Sequence, residues 1–181
     1  MEKGSSGKLK KLVLGLIGVF VLIQFVPYGR DHNNPPVKSE PNWDSPQTRQ
    51  MAKSACFDCH SHETVWPWYS HIAPMSWLVQ RDVEEGREHL NFSDWAHSKH
   101  TDDLEEVQEV ISEGEMPLPI YKIMHSDARL DDNQKQQLIK GLQSTMIASL
   151  PPEKRAKLDI TRGETEEAGE HEHEEEGETS H

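Results

Sequence analysis

"ACFDCHSHETVWPWYS", Ala55–Ser70, decides how the rest of the chain is read. It holds both cysteines of the protein, spaced Cys56-x-x-Cys59, with His60 immediately after. Three chemistries use such a pair: a zinc clip, a redox dithiol, and a haem joined to two thiols with the next histidine under the iron. A structural zinc needs four ligands, commonly from two such pairs, and the sequence has no second pair. His62 and His71 lie near, but His60 directly beside Cys59 is awkwardly placed for a tetrahedral cage. A thioredoxin-like dithiol expects a βαβ context, which the helical pattern described below lacks. Covalent haem attachment uses Cys56, Cys59 and His60 with no residue left over, and His62 is given no role.

The charge is unevenly distributed. The chain has 181 residues and a net charge of −13. Residues 1–11 carry +3 and residues 163–181 carry −9, leaving an acidic body that matches phosphate backbones poorly. Nucleic acid is therefore not expected as a partner. Lys8, Lys10 and Lys11 precede an apolar run from Leu12 to Val26, broken only by Gln24. This run has about the length of a signal-peptide core, but no small-x-small cleavage site follows it. Residues 1–28 therefore read as an uncleaved signal anchor, a transmembrane helix assisted by snorkelling lysines and an interfacial Tyr28. The positive-inside rule then sends the remainder out of the cytoplasm, to the periplasmic side of the inner membrane. Residues 29–42, rich in Pro, Asn and charge, read as a linker, and residues 151–181 as a disordered acidic tail.

Between them, residues 43–150 give helix signals. Ser45-Pro46 is an N-cap followed by proline at the first helical position. Met75, Val79, Val83, Gly86 and Leu90 share one helical face after a start near Pro74. Asp102 with Glu105 resembles a capping box, Leu104, Val107, Val110 and Ile111 form a stripe, and Gly114 marks the stop. Asp131 with Gln134 opens a last helix that buries Leu138, Ile139, Leu142 and Met146 before Pro151-Pro152. The stripes are thin for about a hundred residues, so a large buried prosthetic group would complete the core. The fold class expected is all-α: a small cytochrome c-like domain around one covalent haem c per chain.

The sixth iron position would fall to a methionine or histidine. Met116, in "EGEMPLPIY" with prolines at 117 and 119, precedes one last helix, the chain order that small cytochromes c use. His125 in "IMHSDARL" is the alternative, as is an open site. Trp66, Trp68 and Tyr69 could line a porphyrin or simply pack around Pro67. Arg81 and Arg87 fit ion pairs with Glu84, Glu85 or Glu88 better than propionate contacts. His71, His89, His97 and His100 read as surface or capping residues, and "EHEHEEE" as a solvated tail in preference to a metal site.

Residues 43–148, with their single CxxCH, Trp-Pro-Trp-Tyr and Glu-Gly-Arg-x-x-Leu-Asn-Phe-Ser segments, resemble the bacterial haem-binding domain family. The resemblance implies a monohaem c-type domain, often membrane-anchored, with Cys56, Cys59 and His60 carried over directly. The expected function is one-electron transfer, without catalysis, to a redox partner the sequence does not name. A gas- or peroxide-responsive haem with an open distal site, and a metal-binding module without haem, are the alternatives.

Overall fold

The computed structural model describes residues 4–98 and 103–156. Asp102, His100 and the acidic tail from residue 157 onward lie outside the described residues. The chain forms helices α1 (Gly4–Ile23), α2 (Pro46–Ala55), α3 (Phe57–His60), α4 (Met75–His89), α5 (Leu104–Ser112), α6 (Pro119–Met124) and α7 (Asp132–Ser149). Among the described residues there is no strand, and Ser39 and Asp94 meet only as an isolated bridge.

The local chemistry that starts each helix is visible. Ser45 Oγ accepts from Thr48 N–H at 3.1 Å, with Pro46 filling the first position of α2. Asp131 and Gln134 form a reciprocal capping box on α7. The N-cap of α5 is Asp103, which accepts from Glu106 N–H. Gly114 ends that segment at φ +80, a conformation open to glycine because it lacks a Cβ. Helix α6 was not expected: its start is Pro119, preset for a first helical position.

The core gathers where α2, α3, α5 and α7 meet. Ala52, Phe57, Phe92, Ile111, Leu138, Ile139, Leu142 and Met146 are buried there, with Trp95 slightly more exposed. Phe57 stacks on Phe92 (centroids 5.4 Å apart) and Phe92 on Trp95 (6.0 Å). Helices α2 and α7 approach so closely that a Cβ on Gly141 would sit 2.1 Å from Thr48 Oγ1. Phe57 is the first residue between the two cysteines. Its side chain therefore fixes α3 into the core, and the thiols follow.

Two features of the N-terminal third differ from the sequence reading. Helix α1 stops at Ile23, and Gln24–Val26 turn away from it through bonds to Val21, Leu22 and Ile23 carbonyls. Its uninterrupted apolar part, Leu12–Ile23, spans about 18 Å against about 30 Å of bilayer core. Among the described residues, no helix is long and apolar enough to cross a membrane. Nor does the segment 29–42 behave as a linker. Asn34 Nδ2 donates to Thr64 carbonyl, Lys38 and Ser39 N–H to Ser93 carbonyl, and Arg49 grips Glu40 through two bonds of 2.8 Å. It is a strap laid across the domain.

Candidate functional site

The short helix α3 presents Cys56, Cys59 and His60 at its two ends, and α4 lies directly against it. A Cβ on Gly86 would stand 2.6 Å from Cys59 carbonyl oxygen, so only glycine permits this approach. Both cysteines are free and partly exposed. Burial of the sulfur atoms pushes each thiol up to about 12, the nearby Cys59 adding to the shift at Cys56 and Asp82 to that at Cys59. Redox-active dithiols instead carry depressed values, because the thiolate is the reactive form. This direction of shift does not favour the dithiol reading. Among the described residues, no group of three or more His, Cys, Asp and Glu side chains is arranged to hold a metal ion.

His60 is held as a ligand would be. Its Nδ1 lies 2.9 Å from Leu90 carbonyl oxygen, which can only accept, so Nδ1 carries the proton. Nε2 is then the nitrogen with a lone pair. Burial depresses the pKa of the ring, the Leu90 carbonyl opposing this in part, so the neutral, ligand-competent form is favoured. Phe92 N–H donates back to His60 carbonyl at 2.8 Å. The Leu-Asn-Phe-Ser segment is thus a main-chain clamp on the Cys-His corner.

The second intervening residue, Asp58, organises the other side. Its carboxylate accepts from Tyr121 Oη–H at 2.7 Å and Val65 N–H at 2.9 Å, and its carbonyl accepts from Thr64 Oγ1 at 2.7 Å. Burial, then this carboxylate, pushes the Tyr121 phenol upward, so it stays a donor. Arg87 spans four acceptors: Ser61 and Asn33 carbonyls, Asn34 Oδ1 and Thr64 Oγ1. It is half-buried, and its guanidinium is turned to these acceptors. Arg81 does pair with Glu85 at 2.7 Å.

Beside this corner lie two cavities that share Tyr69, Val79, Asp82, Leu118 and Tyr121 in their walls. The smaller, about 40 Å³, reaches Cys59 and His125. The larger, about 430 Å³, runs between Trp68, Met75, Leu78, Ile123 and Met124. Its rim leaves Trp68 69% and Ile123 68% exposed, a costly apolar surface that a flat apolar ligand would cover. The larger cavity has the apolar character a porphyrin face needs, but of the Cys-His corner only Cys59 lines a cavity, the smaller one; Cys56 and His60 stand outside both walls. The aromatic run divides. Trp68 and Tyr69 are cavity wall, whereas Trp66 stacks on His32 at 4.6 Å.

Met116 sits at the exit of α5, half-buried, its N–H donating to Val110 carbonyl at 2.8 Å. It lines neither cavity, although Leu118, two residues on, lines both. His125 does line the smaller one, and its Nδ1 is buried without a hydrogen-bond partner. His62, expected to have no role, is 8% exposed and bonded through both ring nitrogens. Nothing in the sequence marked it except its place beside the motif.

An all-helical domain with a Cys-x-x-Cys-His corner, Cys59 of which borders a cavity continuous in its walls with an apolar slot, is of the kind that binds haem. The chain is a member of the haem-binding domain family, which matches residues 18–144, well over half its length. That match includes the strap and the end of α1, in keeping with their packing on the domain. No curated protein and no solved structure matched the chain.

Proposed function

We propose that the protein is a monohaem c-type electron carrier, its haem c joined covalently to Cys56 and Cys59, with His60 as proximal iron ligand. The observation that carries this reading is His60: its Nδ1–H is spent on Leu90 carbonyl, leaving Nε2 free, on the helix that bears both thiols. When bound, the haem supplies a one-electron couple that the side chains themselves lack. The chain's residues contribute the rest. Phe57 and Gly86 fix α3 so that the thiols and imidazole share one rigid frame. Tyr69, Val79 and Leu118 exclude water, and rigid walls limit reorganisation as the charge changes.

Met116 is the distal ligand in this proposal, brought in by the loop that leads to Leu118. His125 is a second reading, favoured by its unpartnered Nδ1 beside the cavity. A filled sixth position leaves no place for substrate, so no catalytic activity is proposed. An open position would instead make the haem a gas- or peroxide-responsive centre. Absorption spectra of Met116→Ala and His125→Ala decide: the variant that turns high-spin at neutral pH has lost the ligand.

Covalent attachment of this kind takes place outside the cytoplasm, which places the domain on the periplasmic side. The exposed leucines and valines of α1, with Lys8, Lys10 and Lys11 at its start, support attachment to the inner membrane. The redox partner is a protein met at that surface. An in-gel haem stain after denaturation tests the central claim. It should be positive in a host with cytochrome c maturation and lost when Cys56 and Cys59 are both serine. A negative wild-type stain in that host overturns the reading, and with it favours a module without haem.

A further inference from the structure

We propose that His62, Asn91 and Ser98 form a positioning unit that sets the orientation and basicity of the His60 imidazole. The inference rests on the haem reading above for its functional meaning, but not for its geometry.

The acceptor of the His60 proton is Leu90 carbonyl, and that carbonyl belongs to the same peptide unit as Asn91 N–H. Asn91 N–H donates to Ser98 Oγ at 2.9 Å. The plane of the peptide is therefore held from both sides, by Ser98 at its N–H and by His60 at its oxygen. An acceptor on the N–H also polarises the unit and makes the carbonyl a stronger partner for the imidazole.

The Asn91 side chain locks the same residue from a third direction. Ser93 N–H donates to Asn91 Oδ1 at 2.9 Å, which settles which end of the amide is oxygen. Asn91 Nδ2 then donates to His62 Nε2 at 3.0 Å. His62 Nδ1 lies 3.0 Å from Pro36 carbonyl, an acceptor only, so its proton is on Nδ1 and Nε2 is free to accept. His62 N–H closes the ring by donating to Ser93 Oγ at 2.9 Å. The side-chain nitrogens and oxygens of His62, Asn91 and Ser93 all have partners, and the loop is tied to the strap through Pro36.

Such a unit explains why the Leu-Asn-Phe-Ser segment has the composition it has. Leu90 and Phe92 supply the two main-chain bonds to His60, and Asn91 and Ser93 supply the side chains that fix them. A more basic imidazole stabilises ferric iron and lowers the reduction potential. Weakening the unit should raise it.

The test uses the full chain. Ser98→Ala removes one acceptor at a partly exposed site, Asn91→Ala opens the ring, and His62→Gln keeps a donor and an acceptor. In the haem-loaded protein, the first two should raise the midpoint potential and shift the low-spin ferric g-values while covalent haem yield is unchanged. His62→Gln should restore wild-type values. In the haem-free protein, the His60 Nδ1–H resonance should exchange with solvent at least tenfold faster in Ser98→Ala and Asn91→Ala than in wild type. Unchanged proton exchange in a folded Ser98→Ala protein overturns the positioning role. Faster exchange in a chain that never takes up haem would retain the unit and sink only the electron-transfer reading.

Discussion

His60 and Leu90, thirty residues apart, are joined at the imidazole: Nδ1–H donates to Leu90 carbonyl at 2.9 Å, while Phe92 N–H returns a bond of 2.8 Å to His60 carbonyl. The side chain and main chain of one residue are thus read by two neighbours on another segment. This double grip fixes where Nε2 of His60, the proposed ligand, sits in the haem-free domain. Preorganisation of this sort removes an ordering cost from binding.

The buried, neutral state of His60 gives the haem-free domain a defined acid sensitivity. Burial lowers its folded-state pKa, so between the unfolded value of about 6.5 and the lower folded value the unfolded chain binds more protons. Stability then rises with pH in that window and is lost as pH falls through it. Glu40 and Asp94, both lowered chiefly by hydrogen bonds from Arg49 and Lys38, act in the same direction but only near and below their ordinary values of 4.5 and 3.8. Melting temperature should therefore drop between pH 7.5 and 5.5 in wild type and drop less in His60→Gln. Parallel pH profiles for the two proteins would show that His60 is not the titrating group.

Gly86→Ala separates packing from helix propensity. In an exposed helix interior the change stabilises by up to about 1 kcal/mol. Here the new Cβ would meet Cys59 carbonyl oxygen at 2.6 Å, and backbone on both sides resists movement. We expect a loss of about 1–3 kcal/mol, the range of overpacked cores, together with reduced haem incorporation. Thermal melts of the haem-free protein check the sign, and a stabilised variant would mean that α4 does not press on α3 as described.

What the sequence disclosed was the chemistry that acts within a few residues. The Ser45 and Asp131 caps, the Val83–Gly86 face of α4 and the buried stripe of α7 are all set by spacing and local bonds, and each is present. The Cys-His triplet was legible for the same reason. What stayed hidden was set by partners far along the chain. Residues 29–42 have a linker's composition, yet their amides and carboxylates serve Thr64, Ser93, Arg49 and Arg87. Arg87 has glutamates within reach along its helix and turns instead to the strap, because four converging acceptors outweigh one exposed ion pair. Phe57 lies between the cysteines, and only the fold reveals that it is buried against Phe92. The apolar N-terminal run was read by its composition alone, and the turn after Ile23 shortened it.

That turn is held by Gln24, the one polar residue in the run. Its Nε2 donates to Ala73 carbonyl at 2.9 Å, and its Oε1 accepts from Ala73 N–H at 3.0 Å. The amide thereby mimics a strand partner and docks the end of α1 on the segment before α4. Gln24→Leu makes the run more apolar but removes both bonds. Limited proteolysis should then cut residues 24–30 at least several-fold faster than in wild type. Equal cleavage would place the docking elsewhere, with Tyr28 Oη to Glu84 as the next bond to remove.

Tyr121→Phe probes the tie between the Met-Pro segment and the Cys-His corner. Tyr121 on α6 donates to Asp58 Oδ2 at 2.7 Å, and Asp58 lies between the cysteines. Few other contacts hold α6: Ile120, Ile123 and Met124 are exposed. Lys122 Nζ reaches Gly114 carbonyl at 3.1 Å, and Arg129 reaches back to Lys122 and Ile123 carbonyls. Losing a hydrogen bond to a carboxylate at a partly buried site costs about 1–2 kcal/mol. Because Val65 N–H still satisfies the other oxygen, the corner itself should persist. The expected signature is local: amide exchange at residues 119–125 accelerates about tenfold, while α2 and α7 exchange as in wild type. A uniform rise across the whole domain would mean that Tyr121 supports the global fold, and no rise at all would mean that the bond contributes nothing to holding α6.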